Sequence, residues 1–171
     1  MDNMIHQLAH HQHAGLVFAL LLIYQLKHFL CDYPLQTKFM LNKFRKRARD
    51  WVPALAAHAG VHAWATLAIA MVFGMDEWQG VMLGAFDFVI HFVMDRIKAS
   101  PKLLGRYEAL SKSEYLDHLV CSEGPKASRY GIELAVPAFR SNKLFWWSLG
   151  LDQAVHHITH YAIIAYIVCN S

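Results

Sequence analysis

Four blocks of about twenty largely apolar residues each carry ionisable side chains spaced four apart, and few folds tolerate that combination. The first block, about 14–35, holds His28 and Asp32, with Gln36 one turn on; the second, about 52–73, holds His58 and His62. The third, about 80–98, holds Asp87, His91 and Asp95, and the fourth, about 147–169, holds Asp152, His156 and His160. Residues at i and i+4 share one face of a helix, so each block presents a single polar stripe. Buried stripes of this kind must meet each other, because an unpartnered charge in hydrocarbon is expensive.

The block lengths match the roughly 20 residues a helix needs to cross about 30 Å of hydrocarbon. The expected fold is therefore all-α: a four-helix transmembrane bundle forming one domain over residues 1–171. Composition agrees. Of the 171 residues 56% are hydrophobic and only 17% charged, against roughly 25% charged in soluble domains. That excludes disorder, and a net charge of +3 excludes charge-driven or specific nucleic-acid binding. Cys31, Cys121 and Cys169 form no CxxC pair and read as isolated thiols rather than a disulfide framework.

Basic residues set the orientation. Lys38, Lys43, Arg45, Lys46, Arg47 and Arg49 separate the first two blocks, and Lys102, Arg106, Lys112, Lys126, Arg129, Arg140 and Lys143 the last two. The first thirteen residues have neither Lys nor Arg, so they do not read as a cleavable leader, and the turn Gly74–Gln79 is acidic. The positive-inside rule then puts both termini outside and both basic segments in the cytoplasm, as expected of a multi-pass protein of a bacterial inner membrane. The cytoplasmic loop 99–146 is expected to be partly helical, with Leu103, Leu104, Tyr107, Leu110, Leu116 and Leu119 on an interfacial amphipathic helix. The basic run Lys43–Arg49 reads first as a topology signal and second as an attractor of anionic headgroups.

Counting about 1.5 Å per residue, the stripes fall in one layer near the cytoplasmic boundary, with Asp87 deeper than the rest. His28, Asp32, His58, His62, His91, Asp95, Asp152, His156 and His160 are the expected metal ligands. Imidazole and carboxylate together suit zinc first, then manganese or non-haem iron, and nine donors allow one or two ions. Asp32, Asp95 and Asp152 are candidates to bridge ions or act as general base, and Lys98 to hold an anionic substrate at the cytoplasmic mouth. Asp87, His157 and Lys27 read as supporting, interhelical or snorkelling groups. His6, His10 and His13 share a helical spacing outside the blocks, without a clear ligand role.

The segments HFLCDYPLQT, HAGVH, HFVMDRIK and LDQAVHHITH resemble the bacterial and phage integral membrane family known as domain of unknown function 3307, over nearly the whole chain. Asp87 and the His-rich tail lie outside the resembling pattern. The resemblance implies a polytopic membrane protein and no activity, and only a looser analogy links it to membrane-bound metal-dependent hydrolases. The residues themselves favour a metal-dependent hydrolase opening to the cytoplasm, acting on an anionic lipid or another membrane-associated phosphoester. The alternatives are a metal-ion or proton transporter or channel, a membrane di-iron oxygenase, and a structural accessory protein. Partners are expected to be membrane lipid and, at most, further copies of the chain.

Overall fold

The computed structural model describes residues 2–44, 51–99 and 143–171, with side chains placed for 13–43, 51–98 and 146–171. The described chain is all helical and without strands: α1 (Asp2–Asp32), a 3-10 turn (Met40–Phe44), α2 (Trp51–Val72), α3 (Glu77–Ala99) and α4 (Lys143–Asn170). The all-α expectation therefore holds. The amphipathic helix expected between the last two blocks lies outside the described residues. Two boundaries differ from the sequence reading. The segment expected as an outer tail continues α1 back to Asp2, and α1 stops at Asp32 rather than at residue 35, because Pro34 disfavours helical backbone in the residue before it.

Two helices, His13–Asp32 and Trp51–Val72, are long and apolar enough to cross a membrane by length and composition. Four such segments are expected from the sequence. α3 falls short because it carries Glu77, Asp87, Asp95, Arg96 and Lys98, and α4 because polar Asp152, Gln153, His156, His157 and His160 dilute it. Side-chain placement partly offsets the dilution, since Asp87, Asp95, Asp152, His156 and His160 are all buried inside the protein.

The α2–α3 hairpin is written locally in the sequence. Gly74 adopts φ +89°, a left-handed backbone that glycine takes without strain. Met75 N–H then reaches back to the Ala70 carbonyl at 3.0 Å, closing the end of α2 as a Schellman turn. Asp76 opens α3 through a reciprocal capping box: Gln79 N–H donates to Asp76 Oδ1 at 2.8 Å, and Asp76 N–H to Gln79 Oε1 at 3.0 Å. Ten residues on, Gly84 faces the Ala63 carbonyl and lets the two backbones approach closely.

The interior divides into two layers. One is an apolar plug of Leu20, Tyr24, Ala70, Met75, Leu83, Ile163, Ile164 and Ile167. The other is polar: Lys27, His28, His58, His62, His91, Asp95, Asp152 and His156 are all buried. The outside is reversed, with Phe18, Leu22 and Leu26 exposed on α1, Trp64 and Val72 on α2, Val89 and Val93 on α3, and Leu151 and Ile158 on α4.

Candidate metal centre

All nine expected ligands meet in the polar layer. Toward the ends of α1 and α3, around the middle of α2 and along the middle of α4, carboxylates interleave with imidazoles. Asp32 Oδ1 lies 3.1 Å from His62 Nε2 and 3.4 Å from His58 Nε2, and Asp32 Oδ2 lies 3.2 Å from His28 Nε2. His58 Nε2 also sits 3.2 Å from Asp95 Oδ2, so one imidazole joins α1 to α3 through α2. On α4, Asp152 Oδ1 is 3.4 Å from His156 Nε2 one turn on. His91 closes the layer, with its ring centroid 3.8 Å from that of His62 and 4.0 Å from that of His156, stacked on the latter.

Three lysines thread this cluster: Lys98, expected at its mouth, Lys27, with supporting, interhelical and snorkelling readings open, and Lys43. Lys98 Nζ is 2.6 Å from Asp152 Oδ2, so in this structure its charge is engaged by a carboxylate. Lys43, read as part of a topology signal, is buried, with Nζ donating to Asp95 Oδ2 at 2.7 Å. The 3-10 turn that carries it tucks the ammonium under α3, a placement that a run of basic residues cannot announce. Lys27 is buried as well, with Nζ on Asp87 Oδ2 at 2.5 Å and 3.3 Å from His160 Nε2. The snorkelling reading of Lys27 fails because a carboxylate reaches it inside the protein.

Asp87 is correspondingly a node rather than an outlier. It accepts from Lys27 of α1 and from Thr66 Oγ1 of α2 at 2.6 Å, and it lies 3.0 Å from His91 Nδ1 of its own helix and 3.9 Å from His160 Nε2 of α4. The hydrogen bond that orients the His91 ring joins its Nδ1 to the Asp87 backbone carbonyl at 3.1 Å, which leaves Nε2 directed elsewhere. The only sequence signal for this role was its position four residues before His91. His157 stays peripheral, exchanging a hydrogen bond with Gln25 at 3.1 Å. Gln153 is a residue that the sequence undervalues. Its Oε1 is 3.2 Å from His28 Nε2, and its amide donates to Asp152 Oδ2 at 3.3 Å.

One ring nitrogen of each of His28, His58, His62, His91, His156 and His160 is buried without a hydrogen-bond partner among the described residues, as are Asp87 Oδ1 and Asp152 Oδ1. Buried polar atoms are nearly always partnered, so a concentration of bare ones marks a place that takes up water or an ion. Four triplets offer ligand atoms within 4.8 Å of one another: His28–Asp32–His62, His28–His91–His160, His62–Asp87–His91 and Asp95–Asp152–His156.

Thr66 gives a direct check on the Asp87 node. Thr66→Val keeps the shape of the side chain and removes one donor to a buried carboxylate, so stability is expected to fall by about 1.5–3 kcal/mol, as for hydrogen bonds to charged groups. The measurement is denaturant unfolding in detergent micelles; an unchanged midpoint would show that the hydroxyl contributes nothing to holding Asp87.

With the layer described, comparison with known proteins adds one match. A family model described as Protein of unknown function (DUF3307) covers residues 17–171. The chain belongs to this family. The match spans every residue of the polar layer and begins beyond His6, His10 and His13. No curated protein and no solved structure matches this DUF3307 chain.

Proposed function

We propose that this protein is a four-span membrane protein with a metal centre near its cytoplasmic face, and that it hydrolyses a membrane-associated phosphoester. The observation that carries the reading is the convergence of His and Asp side chains from all four helices in one layer, with eight of the nine expected ligands and Asp87 falling in the triplets and His58 in none, and with buried ring nitrogens left bare. The membrane part rests on the inverted distribution of polarity. Apolar side chains are exposed on every helix and ionisable ones are buried, the arrangement a bundle adopts when its solvent is hydrocarbon. Positive charges cluster in the sequence beside the polar layer and acidic Asp76 and Glu77 at the opposite turn, which favours N-out, C-out orientation in a bacterial inner membrane.

In this reading a divalent ion, zinc by preference and manganese or iron as alternatives, lowers the pKa of a bound water and polarises a phosphoryl oxygen. His28, Asp32, His58, His62, His91, Asp95, Asp152, His156 and His160 supply the ligands and the carboxylates that orient them. Asp32, Asp95 and Asp152 are the groups placed to accept the proton of an attacking water. Of the three lysines paired in the polar layer Lys98 is the most exposed, at 23% of its side chain, and is suited to an anionic headgroup. A transporter or channel is less well supported, because the apolar plug from Leu20 to Ile167 closes the polar layer from the far side.

The test is phosphate release from a panel of phospholipid and nucleotide phosphoesters in mixed micelles. Metal-dependent turnover is expected, abolished by EDTA, restored by zinc or manganese, and lowered at least about a hundredfold in His91→Ala or Asp95→Ala, the size of effect seen when an ion or its supporting shell is lost. A folded wild type that binds none of zinc, manganese or iron would end the hydrolase reading. A coloured, iron-loaded sample would move it to an oxygenase.

A further inference from the structure

The carboxylates of the polar layer are not equivalent. Asp87, Asp95 and Asp152 each hold a lysine ammonium, from Lys27, Lys43 and Lys98 respectively. Asp32 instead has imidazoles around it: its described partners are His28, His58 and His62, all through Nε2. A buried carboxylate is normally neutralised by a cation; the three that are buried have one built into the chain, and the fourth, Asp32, is half-buried.

The same division sorts the four triplets. His28–His91–His160 and His62–Asp87–His91 both run into Lys27, whose ammonium lies on Asp87 and 3.3 Å from His160. Asp95–Asp152–His156 has an ammonium on each carboxylate. In His28–Asp32–His62 no described contact pairs a member with an ammonium, and the charges of Lys27 and Lys98 reach His62 and Asp32 only through space. Its geometry suits an ion. His28 Nε2 lies 3.2 Å from Asp32 Oδ2 and His62 Nε2 lies 3.1 Å from Asp32 Oδ1, so the two imidazoles flank the two oxygens of one carboxylate, with ligand atoms within 4.8 Å of one another. Two imidazoles and one carboxylate with an open position is the donor set of catalytic zinc sites and of non-haem iron sites. It is also the triplet with an access route: the Asp32 side chain is 22% exposed, whereas each of the other three triplets is wholly buried.

We propose that the centre is mononuclear, with one divalent cation held by His28, Asp32 and His62, and that Lys27, Lys43 and Lys98 occupy as internal ammonium ions the places where further metal ions would sit. This deepens the metal reading above and rests on it. His58, touching both Asp32 and Asp95, then links the ion to the lysine-held carboxylates instead of serving a second ion. The triplets His62–Asp87–His91 and His28–His91–His160 are, on this reading, a metal site filled by Lys27.

Metal counting decides it. The full chain in detergent is stripped with EDTA, dialysed against Zn²⁺ and measured by mass spectrometry, with X-ray absorption of the zinc-loaded wild type to count imidazoles. One zinc per chain with two imidazoles is expected. Asp32→Asn, nearly isosteric, should weaken uptake at least tenfold, while Asp152→Asn keeps one zinc. Lys27→Met should raise the count to two, and zinc should raise its thermal midpoint. Two ions in the wild type, three imidazoles on a single ion, an Asp32→Asn chain that still loads fully, or a Lys27→Met chain that stays at one would each overturn the proposal. The absorption measurement needs no variant, so a misfolded mutant leaves the test intact. Wild type that takes up no zinc, manganese or iron would instead sink the broader metal reading.

Discussion

Asp87→Leu should cost this protein about 3–5 kcal/mol of stability, the penalty for leaving one partner of a buried ion pair uncompensated, and Lys27→Met in the same chain should return most of it. Both side chains are essentially shielded, at 0% and 3% exposure, and they join α1 to α3 within the bundle. Once Asp87 is gone, the Lys27 ammonium keeps the His160 ring nitrogen at 3.3 Å and the Tyr24 ring face at 5.6 Å, neutral groups that cannot balance its charge. Thr66 loses its acceptor at the same stroke, while His91 Nδ1 keeps the backbone carbonyl of residue 87 at 3.1 Å. The double variant removes both charges and fills the volume with apolar atoms, a replacement that is often neutral or favourable for buried pairs. Unfolding midpoints of the two single variants and the double, measured in the same micelle, close the cycle. A single Asp87→Leu chain as stable as wild type would show that water reaches the pair.

The helices and the polar layer were legible in the sequence because both are periodic. Twenty-residue apolar blocks and i,i+4 spacing are properties of single helices, and four polar stripes in one small chain have no other place to go than toward each other. His28, Asp32, His58, His62, His91, Asp95, Asp152, His156 and His160 could therefore be selected without coordinates. The lysines could not. Lys43 sits among Arg45, Lys46, Arg47 and Arg49, and nothing local distinguishes the one basic side chain that the 3-10 turn folds under Asp95 from those that mark topology. Lys27 admits supporting, interhelical and snorkelling readings, and the sequence does not choose among them because its partner Asp87 is 60 residues away on a different helix. Both are facts of pairing between helices, which a helical period does not encode. The caps of the α2–α3 hairpin are the opposite case: Gly74, Asp76 and Gln79 specify their turn within six residues.

The sharpest steric demand lies at Gly84. A Cβ placed there would stand 2.9 Å from the Ala63 carbonyl oxygen and 3.5 Å from the Leu67 Cβ, so even alanine forces backbone against backbone. Gly84→Leu should therefore push α2 from α3 and destabilise the protein by about 1–3 kcal/mol or more, the range of overpacked cores. The effect should not stop at stability. His62 precedes Ala63 on α2, and His91 lies two turns beyond Gly84 on α3, with their rings 3.8 Å apart. Separating the helices opens that contact and disturbs the polar layer, so metal affinity should fall together with the unfolding midpoint. Gly150 supplies the control, since an added Cβ there meets nothing within 4 Å. On an exposed helical position Gly→Ala gains up to about 1 kcal/mol from backbone entropy alone, so Gly150→Ala should leave metal uptake unchanged and raise stability slightly. If Gly84→Leu and Gly150→Ala bind metal equally well, then the close α2–α3 contact does not hold the centre together.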